Sequence, residues 1–186
     1  VMDNRQEKIL NLVIESYIAN AEPVGSKFLV ANTDLEFSEA TIRNELHALE
    51  EEGYLTHPHT SAGRIPTEKG YRYYIKNLNL AKSEISKNDS KTLSNSLVKD
   101  NDSEFAFKHL AKTMTELSNE TVIVAFSPEK IYYTGLANLF NKPEFDQLSL
   151  VADISEIFDN CEDSLESFFA KVDDSPKYFF GDEHPF

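Results

Sequence analysis

Residues 57 to 74 constrain the fold more than any other stretch of this chain. Pro58, Gly63 and Pro66 interrupt any helix there, so the chain must form a compact loop, and Thr67 stands where it can cap a following helix carrying Tyr71, Tyr74, Ile75 and Leu78. The stretch is also basic. From Tyr54 to Lys76 it holds Arg64, Lys69, Arg72 and Lys76 against Glu68 alone, a net of +3 in a chain whose net charge is -14. A positive island in an acidic chain marks a surface for something negative.

What precedes the loop reads as three helices. Ile9, Leu12, Val13, Ser16 and Tyr17 recur at helical spacing from about Asn4 to Asn20, with Arg5, Glu7, Lys8 and Glu15 on other faces. Pro23 and Gly25 break that helix, and Ser26 is the expected N-cap of a short second one reaching about Ala31. After the turn-rich Asn32, Thr33 and Asp34, Ser38 opens a third helix that runs to about Glu52 and stops at Gly53. Its buried stripe is Ile42, Leu46 and Leu49; Ala40, Arg43, Asn44, His47 and Glu51 lie around the other side. Tyr54 to Thr56 and Arg64 to Pro66 then pair as a short hairpin, completing a helix-turn-helix with a wing.

Residues 82 to 103 are rich in Ser, Asn, Lys and Asp, the composition of a linker or a solvated helix. Helical spacing resumes from Phe105 to Leu117. Thr121 to Phe126 and Lys130 to Thr134 predict paired strands, Leu136 to Phe140 and Leu148 to about Phe169 predict helices, and Lys177 to Phe180 predicts a last strand ending at Gly181. The fold class is therefore α+β. Its expected domains are a winged helix over residues 1–78, a polar linker with a connecting helix over 79–118, and a regulatory part over 119–186.

The charge is uneven: residues 1–80 hold 8 Lys or Arg against 12 Asp or Glu, and the remainder 10 against 20. Long-range repulsion excludes a protein that coats nucleic acid or an anionic membrane over its whole surface. A local basic patch still works, because screening at physiological salt acts over about 8 Å. A single cysteine, Cys161, excludes an internal disulfide, no apolar run approaches the roughly 18 residues of a membrane span, and the polar start at Val1 to Arg5 is unlike a signal peptide. A reducing cytoplasm is the expected compartment.

A helix in the major groove reads base edges through side chains near its amino terminus, while phosphate contacts supply most of the affinity. Ser38, Thr41, Arg43, Asn44 and His47 are available on the third helix. Arg43 suits guanine and Asn44 adenine, each worth roughly 1–3 kcal/mol of discrimination. Taken alone, this segment reads first as an ordinary amphipathic surface helix. The acidic run Glu50 to Glu52 is expected at the end away from phosphates. Gly63 permits a positive φ or a close approach to a phosphate, Arg64 beside it suits a phosphate or a narrow minor groove, and Thr60 and Ser61 add neutral donors. Lys69, Arg72 and Lys76 can track a phosphate strand, whereas Tyr71 and Tyr74 are expected to pack on the core.

His57, His59, His109, His184 and Cys161 match no zinc spacing, so no metal or other cofactor is expected. No Gly-rich phosphate loop follows a strand and no nucleophile elbow is recognisable, so no enzymatic activity is expected either. A ligand sensor and a protein-interaction module are the rival readings from other classes.

The runs Pro23 to Lys27, Ser38 to Leu46 with Leu49 and Glu50, Gly53 to Leu55, and Pro58 to Thr67 with Gly70, Tyr71 and Arg72 closely resemble HrcA, the heat-inducible transcription repressor family of bacteria. The likeness is dense from about Arg5 to Tyr74. It is thinner afterwards, through Gly135 to Leu139, Pro143 to Phe145 and Gly181 to Glu183. The resemblance implies a repressor of heat-shock chaperone genes that binds an inverted-repeat operator, called CIRCE, as a homodimer in the bacterial cytoplasm, at the nucleoid when on DNA. It also implies a GAF-like second domain and help from a GroEL-type chaperonin. The family continues past the position of Phe186, so the chain is expected to be a fragment or a shortened member with a partial GAF-like domain. On this reading double-stranded DNA is contacted by Ser26, Lys27, Ser38, Ala40, Thr41, Arg43, Asn44, His47, His59, Thr60, Ser61, Gly63, Arg64 and Arg72.

Overall fold

The structure, a computed structural model, describes residues 2–34, 36–59, 62–78, 85–97, 103–127, 129–146, 148–161, 165, 169 and 177–180. It is α+β, with helices and two small antiparallel sheets, and divides into Val1–Leu80 and Ala81–Phe186.

In the first unit, α1 spans Asn4–Asn20. Asp3 starts it with a capping box: its Oδ1 accepts the amides of Arg5 and Gln6, both at 2.8 Å, and the Gln6 side chain accepts the Asp3 amide at 3.3 Å. The buried stripe is Ile9, Leu10, Val13 and Ile14, with Leu12 and Tyr17 only partly covered. Of the expected stripe, Ile9 and Val13 are buried as the spacing predicts, and burial extends to Leu10 and Ile14 instead of Leu12 and Ser16, because α3, α4 and β2 all pack on this helix.

Helix α2 spans Ser26–Asn32. Gly25, not Ser26, holds the N-cap position; Ser26 is already helical and its hydroxyl donates to Glu39 Oε1 at 3.4 Å. Helix α3, Glu39–Glu51, is capped by Ser38, whose Oγ accepts the Thr41 amide at 3.1 Å. Ile42, Leu46 and Leu49 form its buried stripe as the spacing predicts, and Glu45 is buried beside them in an ion pair with Arg5.

Gly53, at φ 78°, turns the chain into β1, Leu55–Thr56, which pairs antiparallel with β2, Ile65–Pro66. A further bridge joins Val24 to Arg64 through reciprocal backbone bonds of 2.8 Å. It ties the α1–α2 connection to the hairpin, a contact with no signal in either segment's sequence. Thr67 caps α4, Glu68–Asn77, by accepting the Gly70 amide at 3.2 Å; the same Oγ1 lies 2.7 Å from the Gly53 carbonyl oxygen and 3.0 Å from that of Tyr54. One side chain therefore links the end of α3, the hairpin and α4.

Ile9, Leu10, Val13, Ile14, Leu29, Ile42 and Leu49 have no accessible surface, and Tyr71, Tyr73 and Tyr74 pack against them. Each such aliphatic side chain contributes roughly 1.5–3 kcal/mol by leaving water. This core fixes where α3 and the hairpin stand.

In the second unit, the polar stretch contains a solvated helix, α5, at Lys87–Leu97, which packs on α6, Ser103–Ser118. Strands β3, Val122–Ser127, and β4, Lys130–Thr134, form an antiparallel hairpin with a register shift between Ala125 and Ser127. Helix α7, Leu136–Phe140, a 3-10 turn at Pro143–Asp146 and α8, Leu148–Asp159, follow. Lys177 to Phe180 is not a strand, in contrast to the expectation from its aromatic composition. Gly181 to Glu183 lies outside the described residues. Among the described residues no helix is long and apolar enough to cross a membrane.

Candidate nucleic-acid interface

Because Ile42, Leu46 and Leu49 anchor α3 to the core, the helix must present its other side to solvent. Ser38, Ala40, Arg43, Asn44 and His47 are exposed there and Thr41 is half-buried. Beside this face lies an open groove of about 360 Å³. Ser26 and Lys27 reach it from the start of α2, Glu39, Arg43 and Leu46 from α3, and Gly63 and Arg64 from the loop before β2. Five expected contact residues from three separate stretches of sequence thus line one concavity. Ser38, Ala40, Thr41, Asn44, His47, His59 and Arg72 do not line it, and Thr60 and Ser61 lie outside the described residues.

Lys27 is exposed and forms no ion pair with the described residues, whereas the two arginines of the groove are paired. Arg43 donates to Glu39 Oε1 at 2.5 Å, a spacing of four residues along α3, and remains largely exposed. Arg64 is more enclosed, with Nη2 2.7 Å from Glu50 Oε2. The other oxygen of that carboxylate, Oε1, bonds to His57 Nδ1. Burial works to raise the Glu50 pKa, but the His57 hydrogen bond and the Arg64 charge together hold it below the ordinary carboxylate value. His47 lies 3.9 Å from the same carboxylate and 3.8 Å from Glu51, contacts that become ion pairs when it is protonated.

Three expectations gain detail or need correction. Glu50, expected at the helix end away from phosphates, is met there by Arg64 and His57, which the hairpin folds back onto it. Gly63 is not at positive φ; a Cβ there would lie 2.6 Å from the Val24 carbonyl carbon and 2.7 Å from the Pro23 carbonyl oxygen, so the glycine permits the Val24–Arg64 bridge. Lys69 donates to the Glu52 carbonyl oxygen at 2.6 Å and sits 4.3 Å from the Tyr54 ring centre, so it closes the carboxy-terminal end of α3. Arg72 bonds Glu68 through Nε at 2.8 Å on α4. His59 is exposed and its carbonyl accepts the Ala62 amide at 2.9 Å.

Glu39 and Glu50 are the site residues that sequence reasoning missed. Glu39 had a signal in its four-residue spacing to Arg43; the pairing of Glu50 with His57 and Arg64 had none, since they lie 7 and 14 positions away across a turn. No group of three or more His, Cys, Asp or Glu side chains that could hold a metal occurs among the described residues.

Residues 72–186 match the family model described as the HrcA protein C terminal domain. The chain is 55% identical over 78 residues to a heat-inducible transcription repressor HrcA of Brevibacillus brevis, an alignment covering 42% of this chain and 23% of that protein. It is 41% identical over 130 residues to the HrcA of Acetivibrio thermocellus, covering 69% of this chain and 36% of the relative. It thus spans about a third or less of the length of these relatives. A crystal structure described as that of a hypothetical protein superposes with a TM-score of 0.57 at 35% identity, over 66% of this chain and 38% of the other. By its match over residues 72–186, this chain belongs to the HrcA family.

Proposed function

We propose that this chain acts in a heat-inducible transcription repressor, as its relatives are named, and that its first unit binds operator DNA as a winged helix-turn-helix. The observation that carries this reading is the convergence of Ser26, Lys27, Arg43, Gly63 and Arg64 on one groove beside the exposed polar face of α3. Helix α3 enters the major groove, with Ala40, Thr41, Arg43 and Asn44 nearest the bases and Ser38 and His47 alongside. The hairpin is the wing, and its residues His59 to Arg64, Thr60 and Ser61 included, follow the backbone or minor groove. Arg72 adds a phosphate contact. Two copies bind an inverted-repeat operator of the CIRCE type ahead of chaperone genes, held together by a GAF-like second domain of which residues 119–186 are part. A polar linker and connecting helix, residues 79–118, separates it from the DNA-binding domain, residues 1–78. The protein works in the bacterial cytoplasm without enzymatic activity, and a GroEL-type chaperonin is a further partner.

Mobility shift with an inverted-repeat duplex, in excess non-specific competitor, tests the reading. Replacing Lys27 by Ala is expected to weaken binding to every duplex alike and to flatten the salt dependence by about 0.9 in slope. Replacing Asn44 by Ala is expected to cost roughly 1–3 kcal/mol on the operator and to relax preference at one base pair. Binding that competitor DNA abolishes as readily as it does for an unrelated acidic protein would overturn the reading.

A further inference from the structure

Arg64 is the cation most enclosed at the groove, and it is already neutralised. Its Nη2 meets Glu50 Oε2 at 2.7 Å, and the side chains of Arg64 and Glu50 are only 23% and 19% exposed. The guanidinium is nevertheless incompletely bonded, because its Nε is buried without a hydrogen-bond partner among the described residues. That buried donor is closed to any oxyanion while the side chain rests on Glu50, and gains an acceptor when the guanidinium fork swings out to a new one. The carboxylate is better provided. If Arg64 leaves, Glu50 keeps His57 on its other oxygen and has His47 nearby, so breaking the Arg64 contact does not strand a bare charge.

We infer that Glu50 is an internal stand-in for a DNA phosphate: Arg64 is paired with Glu50 in the free protein and exchanges that carboxylate for a backbone phosphate when duplex binds. The inference rests on the proposed DNA binding and adds to it a competitor built into α3. The carboxylate weakens attraction to any polyanion, so weak or misplaced encounters leave Arg64 where it is. Only a duplex seated well enough on Lys27, Arg43 and the α3 face places a phosphate within reach of the guanidinium. Glu50 thereby acts as a positioning residue that raises the threshold for binding, and His57 retains it after the exchange.

The test measures duplex affinity of the full 186-residue chain by fluorescence anisotropy from 50 to 200 mM salt, for the wild type, Glu50→Gln, Arg64→Ala and the double variant. Glu50→Gln keeps the shape and removes the charge. It is expected to bind roughly threefold tighter, the size of one partly exposed ion pair, and to steepen the salt dependence by up to about 0.9 in slope. The gain must vanish in the Arg64→Ala background; a gain that persists there reflects net charge alone and overturns the inference. Unchanged or weaker binding by Glu50→Gln also overturns it, making Glu50 a support for Arg64 instead of its competitor. Failure of all four proteins to bind any duplex sinks the DNA-binding reading together with the exchange, whereas wild-type binding without the Glu50→Gln gain removes only the exchange. Should Glu50→Gln fail to fold, the wild type itself decides: the Glu50 carboxyl, followed by carbon-13 resonance through an acid titration, should titrate at higher pH with duplex than without. An unchanged titration overturns the inference.

Discussion

The two units place their apolar residues differently. In Val1–Leu80, seven aliphatic side chains have no exposure at all and Tyr17, Tyr54, Tyr71, Tyr73 and Tyr74 pack around them, so α3 and the hairpin rest on a closed base. In Ala81–Phe186, Phe105, Phe107, Met114 and Leu117 of α6 are 43–57% exposed, while the buried positions of α6 are Ala106, Ala111, Thr113 and Thr115. Helix α6 thus fully buries only small and hydroxyl side chains among its described residues and leaves its large ones partly in water, Phe107 against the Phe126 ring included. The lesson is that a regular helix does not by itself make a core. What distinguishes the first unit is convergence of three helices and a hairpin on the same few side chains.

The sharpest way to break this contrast is to cut matched side chains. Leu49→Ala in α3 should cost about 2–5 kcal/mol, the range for a fully buried leucine, whereas Leu117→Ala in α6 should cost about 1 kcal/mol or less. Peptide-level hydrogen exchange under mild urea reads each unit separately, and equal losses would erase the distinction. The glycines sharpen it next. Gly63 faces the Pro23 and Val24 backbone, and a Cβ on Gly135, at φ 89°, would lie 2.7 Å from both the Glu120 carbonyl oxygen and Thr115 Cγ2. Alanine at either should cost about 1–3 kcal/mol by forcing backbone apart. The second unit is therefore tight at the turn into α7 even where α6 is open, and a silent Gly135→Ala would show that turn to be loose as well.

Helix caps make a smaller comparison. Thr67 and Ser86 both accept an amide three residues on, at 3.2 and 3.0 Å, but only Thr67 also touches the Gly53 and Tyr54 carbonyls. Thr67→Ala should cost about 1–2 kcal/mol and Ser86→Ala about 0.5 kcal/mol, measured by urea midpoints of the same peptides. Equal costs would mean that the tertiary contacts of Thr67 add nothing to its cap.

Local chemistry was legible in the sequence because it is written locally. The bounds of α1, β4 and α7, the Ser38 and Thr67 caps and the α3 stripe all follow from periodicity and breakers within one element. The exposed face of α3 was legible for the same reason, since fixing the buried stripe fixes its opposite. What could not be read were contacts made when distant segments meet. Gly63 looked like a turn residue because its neighbour Val24 is 39 positions away, and Glu50 looked like a remote acid because nothing local shows the hairpin returning Arg64 to it. Ser26 was misread as a cap because Gly25 takes that place, leaving the hydroxyl for Glu39 on another helix. Lys177 to Phe180 differs as well: aromatic composition favours a strand but does not by itself make one.

The smallest expected effect contrasts two carboxylates under acid. Burial opposes ionisation of Glu50, and His57 and Arg64 overcome it, so its pKa lies below the ordinary value in the folded state. The unfolded chain therefore binds a proton at higher pH than the folded one. The stabilisation is fully present above the ordinary carboxylate value and is lost as pH falls through the lower folded value, a window that opens below the ordinary carboxylate range. Glu104 is shifted the same way by hydrogen bonds from Lys108 and Lys130, but its side chain is more open to water than that of Glu50, 27% against 19% exposed, and the Lys130 partner is largely exposed, so water screens the pairs more. Acidification through that window should therefore destabilise wild type more than Glu50→Gln in the first unit, and should barely separate wild type from Glu104→Gln in the second. Exchange-detected stability of each unit along a pH series checks both. If Glu104→Gln relieved acid sensitivity as much as Glu50→Gln, enclosure by the hairpin would confer no advantage on the Glu50 contacts.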